Sequence, residues 1–298
     1  MPGKTFDLLV IGGAGIDTIV PLPALPLALA DSTHVEPILD YVAHTGNGVA
    51  LGALAAGLRV KFLDLIGADQ AGAMIRARHA ACGLDAEYAL APAGTRRSVN
   101  LVDKQGRRQS LYDGRETPGQ RLPDALLQAA LPHAHHVHVS IMDWARHVLP
   151  AARAAEVFIS TDLHDWDGVA QHHWDFALQA DGVFVSGTRL GANEAALAAQ
   201  IFQHGQAQWL IVMDGAHGSR AWLREQAHAP LRQAALPPPG AVIDSNGAGD
   251  SYVAAFIAAR LRGLALSDCM RIGARAGAYA CTRAGTHEAF LNPWLAAE

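Results

Sequence analysis

Short apolar runs recur along the chain with Ala-rich, helix-forming stretches between them: Phe6 to Ile11, Val60 to Ile66, Val137 to Ser140, Val157 to Thr161, Gly182 to Val185 and Trp209 to Met213. An unbroken apolar run is what a strand covered on both faces requires. The rhythm strand, loop, helix, strand therefore predicts an α/β chain with a mostly parallel central sheet. With 298 residues, half of them hydrophobic, one large domain over 1–298 is expected. No apolar run nears the roughly 20 residues that span a bilayer, and the N-terminus lacks a signal-peptide pattern.

A net charge of −5, with no Lys/Arg cluster larger than a pair, argues against nucleic acid or an acidic membrane surface as partner. The expected ligand is a small molecule. Three widely spaced cysteines, Cys82, Cys269 and Cys281, form no disulfide framework and fit a reducing cytoplasm.

The stretch Asp244-Ser-Asn-Gly-Ala-Gly-Asp250 leads straight into the apolar run Ser251 to Arg260. It reads as a strand end, a tight glycine turn and the first turn of a helix. Gly247 and Gly249 let the backbone approach a ligand closely, and the N–H groups of Gly247, Ala248 and Gly249 lack helical acceptors, which makes an anion site. Beside it, Asp250 is placed to take a proton from a hydroxyl while those N–H groups stabilise charge on a transferring phosphoryl group. An ordinary helix start, with Asp250 there to complement the helix dipole, is the structural alternative.

With these residues the chain resembles the PfkB, or ribokinase-like, family of carbohydrate and nucleoside kinases, whose signature is D-T-x-G-A-G-D. Ser245 replaces the Thr, and the other positions match. The resemblance implies a three-layer α/β/α sandwich with a small β-strand lid made from about 18–44 and 96–114. It further implies ATP and Mg2+, and extends to K+ and to a homodimer formed through the lid.

Gly12 and Asp17 match the family's G-x-x-x-x-D at the end of strand one, and the resemblance gives Asp17 the role of holding sugar hydroxyls. The Gly12 to Gly15 turn is not a dinucleotide fingerprint, because the third glycine is missing and Pro21, Pro23 and Pro26 follow. Thr45 to Gly57 resembles G-G-x-x-x-N-x-A-x-x-L-A-x-L-G, but this alignment sets Gly48 where the family has Asn. Asn47, one position early, and Gly46 are then the expected substrate contacts. His44 reads as a lid histidine facing solvent, with substrate contact as the alternative. Gly67 to Gly72 matches G-x-D-x-x-G, with Asp69 expected to cap a helix. Asn100 lies in a predicted hairpin, Ser98 to Tyr112, as a second acceptor contact. Arg96, Arg97, Arg107, Arg108 and Arg115 read as solvated hairpin arginines, an acidic acceptor being the alternative.

His133, His135, His136 and His138 lack the spacing of a metal centre, and His164, His172 and His173 are read the same way. After Val185 the family's N-x-x-E is replaced by Ser186-Gly-Thr-Arg189, with Asn193-Glu194 seven residues later. Either Arg189 touches phosphate, or Mg2+ is held mainly by nucleotide and water. Asp214, Gly215, Gly218 and Ser219 resemble the nucleotide-binding turn, and Ala274 falls on the helix lining adenine. By the same resemblance Asp244 and the carbonyls of Ala280, Arg283 and Gly285 form a monovalent-cation site. No Walker lysine motif is present. The expected activity is transfer of the ATP γ-phosphoryl group to a hydroxyl of a sugar or sugar-like acceptor. The alternatives are a nucleoside kinase and a non-catalytic ligand-binding relative.

Overall fold

The computed structural model describes residues 3–226 and 229–295. The chain enters through strand β1 (Phe6–Ile11), crosses to β2 (Gly15–Leu22) and β3 (Leu39–Ala43), and returns through helix α1 (Thr45–Ala55) to β4 (Val60–Ile66). Helix α2 (Gln70–Ala81) and β5 (Asp85–Leu90) follow, then the hairpin β6 (Arg97–Asp103) and β7 (Arg108–Asp113). The second half alternates α3 (Asp124–Ala130), β8 (Ala134–Val139), α4 (Val148–Ala154), β9 (Phe158–Asp162), α5 (Trp174–Gln179), β10 (Gly182–Ser186), α6 (Glu194–His204) and β11 (Trp209–Met213). It closes with β12 (Ser219–Leu223), β13 (Leu231–Gln233), α7 (Ala248–Leu261) and α8 (Leu266–Ala280).

Two sheets result. The large one has the order β13-β12-β11-β10-β9-β8-β1-β4-β5, parallel from β11 to β5, with β12 and β13 antiparallel at one edge. The small one has the order β3-β2-β6-β7; its outer pairs are antiparallel and its central pair, β2 with β6, is parallel. Alternation along the strands explains why the large sheet is covered on both faces. Leu9 and Ile11 of β1 face a core shared with α3 to α6, whereas Leu8 and Val10 face one shared with α1, α2, α7 and α8. The α/β/α expectation holds. A strand end directly before Asp244 does not: residues 234–245 form no strand, and Val242 and Ile243 are exposed.

The sheets are joined by a buried ion pair. Asp64 on β4 is fully buried and takes N–H bonds from Ala14 (2.8 Å) and Leu65 (2.7 Å). Arg96, at the entrance to β6, reaches both Asp64 oxygens at 2.9–3.0 Å and also donates to the carbonyls of Ala14 (2.8 Å) and Leu65 (2.9 Å). Arg96 is 4% exposed, which corrects its reading as a solvated hairpin arginine. Of the other four, Arg97 and Arg107 pair with acids, Arg115 bonds Asp113, and Arg108 reaches Asn246.

His136 and His138 face the interior from β8 and share Ser160 Oγ at 2.7 and 2.8 Å. Among the described residues no group of three or more His, Cys, Asp or Glu is arranged to hold a metal. Burial pushes both imidazoles down to about 3, so they stay neutral in the fold.

Two predictions follow from this packing. Arg96→Met strands the Asp64 charge and is expected to lower the unfolding free energy by about 3–5 kcal/mol in urea titration, with Asp64→Leu/Arg96→Met regaining part of it; a single-variant loss under ~1 kcal/mol contradicts the joint's role. Buried neutral histidines have folded pKa values below the unfolded ~6.5, so their stabilisation is full above that value and lost as pH falls. Thermal stability should therefore drop between pH 7 and pH 5, by about 2 kcal/mol for each such histidine. An equal or higher melting temperature at pH 5 would refute this.

Candidate active site

The chain ahead of the signature is tied to the end of α8: the N–H groups of Ile243 and Asp244 both point at the Cys281 carbonyl (2.8 and 3.3 Å). Asp244 Oδ1 accepts the Asn246 N–H at 2.9 Å, curling the loop. Gly247 then turns with φ 74°, a conformation glycine adopts without Cβ strain, and α7 begins at Ala248. The Ala248 N–H donates back to Ser245 O at 3.3 Å, and nothing lies within 4 Å of where a Gly249 Cβ would sit. The helix start is thus bare backbone with Asp250 in its first turn, while Ser251 to Ala259 behind it are all buried.

Asp250 has a partner that sequence reading missed. His287 Nε2 lies 2.8 Å from Asp250 Oδ2. The imidazole occupies the space beside two glycines: a Cβ on Gly48 would come within 2.3 Å of His287 Nε2 and 2.6 Å of the Asp250 Cβ, and one on Gly247 within 2.6 Å of the ring. Where the family resemblance puts an asparagine, this chain keeps Gly48 and fills the volume from residue 287. The available signal was a Thr-His-Glu triplet just after Gly285.

Asn47 is correspondingly diverted. Fully buried on α1, it donates to Val42 O (3.1 Å), sits 3.0 Å from His287 Nδ1 and accepts from His79 Nε2 (2.8 Å). Its amide is spent inside the protein, which corrects the expected acceptor contact. Gly46 packs on the Gly12 carbonyl so closely that a Cβ would reach 1.7 Å, so a glycine here admits α1. Asn100 is 4% exposed and accepts from Ser110 Oγ at 2.5 Å within the small sheet.

Asp17 lies on the same face of that sheet, on the neighbouring strand, 9% exposed. His44, immediately before α1, sits 3.3 Å from Asp17 and 3.2 Å from Ser98 Oγ. Its ring lies where a Gly15 Cβ would stand and tilts against Tyr112, so it does not face solvent. Across the site, Asp162 ends β9 and accepts the His164 N–H (2.9 Å), and His164 Nε2 lies 2.9 Å from Thr45 Oγ1. Burial raises the Asp162 carboxyl above its ordinary range; His164 opposes and the nearby Asp250 charge adds. His44, His164 and His287 all hold left-handed φ (71°, 54° and 62°), strain of the kind that collects at functional sites.

Near the start of α7, beside Tyr252, the turn from β11 to β12 carries Asp214, Gly215 (φ 50°) and Gly218 (φ 86°). Ser219 is turned inward, its Oγ 2.9 Å from the Tyr252 hydroxyl, so its side chain is closed to a ligand. Ala274 is partly exposed on α8. Two 3-10 turns, Gly187–Arg189 and Gly191–Asn193, carry the chain to Glu194 at the head of α6. Arg220 clamps Glu194 at 3.0 and 2.8 Å and Asp214 at 3.0 Å, and the Trp222 indole donates to Glu194 at 2.5 Å. Arg189 turns to the surface acids Asp165 and Asp167.

Between the small sheet and the signature lies a cleft of about 870 Å³, lined by Ile19, Tyr41, Arg108, Asp244, Asn246 and Gly285 among others. It brings Asp244 and Gly285 onto one wall; Asp250 is not part of its lining. Arg108 of β7 crosses it to bond the Asn246 side chain. Of the other carbonyls, Ala280 O already accepts the Arg283 N–H at 3.1 Å.

The sequence pattern of pfkB family carbohydrate kinases matches residues 42–293. The acarbose 7(IV)-phosphotransferase of Actinoplanes sp. is 44% identical over 287 residues, covering 96% of this chain and 95% of that protein. The solved structure of a microbiome-derived acarbose kinase is 46% identical and superposes with a TM-score of 0.90, covering 96% of each chain. The Arabidopsis thaliana ribokinase solved with ribose and ATP shares the fold at 20% identity, TM-score 0.81, over 97% of this chain and 96% of that one.

Gly48→Ala is expected to push the His287 ring off Asp250, seen in NMR as loss of the bonded Nε2–H signal. An unchanged signal would show that the room at Gly48 is not needed.

Proposed function

The chain belongs to the pfkB family of carbohydrate kinases and is an ATP-dependent sugar kinase, and from that premise we propose that its acceptor is acarbose or an oligosaccharide like it, with Asp250 as the base. The observation that carries the mechanism is Asp250 in the first turn of α7, one oxygen held by His287, beside Gly249, against which nothing packs. The acceptor reading rests on the 44% identical relative.

In this mechanism an acceptor hydroxyl gives its proton to Asp250 as its oxygen bonds to the γ-phosphorus, and the bond from that phosphorus to the β,γ-bridging oxygen breaks to release ADP. Positioning and charge stabilisation do most of the work in such transfers. The N–H groups of Gly247, Ala248 and Gly249 supply part of that stabilisation, with Ala248 first giving up its long bond to Ser245. Asp17 holds acceptor hydroxyls, supported by His44; Asn100 steadies the neighbouring strand. Asp214, Gly215, Gly218 and Ala274 border the nucleotide.

Kinases of this family use ATP with a divalent metal. We take the metal to be Mg2+. Glu194 is fully engaged by Arg220 and Trp222, so the donor set here suits a cation carried mainly by nucleotide oxygens and water. Bound Mg2+ neutralises developing phosphate charge. K+ fits Asp244 and the carbonyls of Arg283 and Gly285, with Ala280 contributing through its second lone pair. No helix among the described residues is long and apolar enough to cross a membrane, and the three free cysteines support the cytoplasm as the compartment. Exposed Leu111 on β7, an outer strand of the small sheet, supports a homodimer through that sheet.

With acarbose, ribose and adenosine as acceptors, acarbose should give the highest kcat/KM, and preference for either other compound would refute the acceptor assignment. Asp250→Asn should lower kcat by about 10²–10⁴ with ATP affinity retained.

A further inference from the structure

Behind the Asp250–His287 pair lies a run of side chains that the phosphoryl-transfer reading leaves unused. Tyr88 OH lies 2.7 Å from His79 Nδ1, His79 Nε2 lies 2.8 Å from Asn47 Oδ1, Asn47 Nδ2 lies 3.0 Å from His287 Nδ1, and His287 Nε2 lies 2.8 Å from Asp250 Oδ2. One backbone group sets the direction of all four bonds. The Val42 carbonyl can only accept, and it lies 3.1 Å from Asn47 Nδ2, so that end of the amide is the NH2. Its second N–H must then go to His287 Nδ1, which leaves the His287 proton on Nε2, donated to Asp250. Likewise Asn47 Oδ1 accepts from His79 Nε2–H, so His79 Nδ1 accepts from the Tyr88 hydroxyl.

The surroundings fit a neutral chain. Burial, with Arg78 adding, pushes His79 down to about 4, so it has one N–H to give. Burial raises the Tyr88 phenol, which keeps it a donor. His287 is held against thermal loss of this geometry: Arg78 bonds its carbonyl at 3.3 Å, and Phe290 stacks on its ring. The backbone there pays for the pose with a left-handed φ of 62°.

We propose that His287 is a positioning residue for the transfer reaction: relayed from Tyr88 through His79 and Asn47, its Nε2–H pins one Asp250 oxygen and leaves the other to receive the acceptor's proton. This rests on the reading of Asp250 as base. Hydrogen bonds in series polarise one another, so the last link is stronger than an isolated one.

The test is steady-state kinetics, with thermal melting as a folding control, on His287→Leu, His287→Gln, Tyr88→Phe, Asp250→Asn and the double variant Asp250→Asn/His287→Leu. His287→Leu should lose about 10–100-fold in kcat, the worth of one hydrogen bond to a charged group, with both KM values within about twofold of wild type. His287→Gln offers an N–H and a carbonyl in the same order and should recover most of that loss. Tyr88→Phe, which removes one hydroxyl at the far end, should lower kcat about two- to fivefold. In the Asp250→Asn background His287→Leu should add nothing, because it acts through Asp250.

Losses that multiply in the double variant would overturn the proposal. So would equal impairment of folded Leu and Gln variants. Wild-type kcat in Tyr88→Phe would overturn the chain beyond Asn47. If Asp250→Asn retains full turnover, the base assignment itself fails; if it loses turnover while folded His287→Leu does not, the relay alone falls.

Discussion

Everything in the site is referred to one buried charge pair. Asp64 and Arg96 sit where the large sheet hands the chain to the small one, and between them they satisfy the N–H and the C=O of Ala14, the residue that bends β1 into β2. Two charges out of water cost several kcal/mol each unless every donor and acceptor is met. Here five contacts from Arg96 and two N–H groups meet that condition, so the pair has one acceptable geometry. That geometry sets the angle at which β2 and β6 leave the core, and with it the face bearing Asp17, Ser98 and Tyr41. Beneath it, Gly12 and Gly46 touch backbone to backbone, which places the start of α1 in register with the same turn.

From α1 two connections lead outward. His44 reaches Asp17 on the small sheet, and Asn47 reaches His287 and, through it, Asp250 on α7. One helical turn therefore holds both carboxylates assigned to the acceptor. Buried His79 stays neutral, and the tautomers of His79 and His287 follow from a single carbonyl. A second lysine or arginine here would have stabilised Asp250 as an ion and weakened it as a base.

The strands were legible because residues buried on both faces leave runs of Val, Ile and Leu, and β1, β4 and β11 begin and end where those runs do. The glycine turn at 247–249 was legible because bare backbone at a helix start has few other uses. Asn47 was misread for a physical reason: residue type and spacing identify a hydrogen-bonding group but not which neighbours will claim it, and the claimants, His79 and His287, lie 32 and 240 positions away. The inward turn of the Ser219 side chain was illegible for the same reason, since Tyr252 arrives from a distant helix. The strand end expected at Asp244 was a local inference from the glycine turn and helix that follow it. Tertiary structure overrides it, as the Cys281 carbonyl takes the N–H groups that would otherwise join a sheet edge. Gly48 looked like a defect and is a vacancy filled from elsewhere, a compensation invisible until both segments are placed together.

The filling group comes from residue 287, which follows every other part of the site in chain order. A chain cut short just before it would keep the glycine turn and Asp250 yet lack the imidazole that bonds the aspartate and accepts from Asn47.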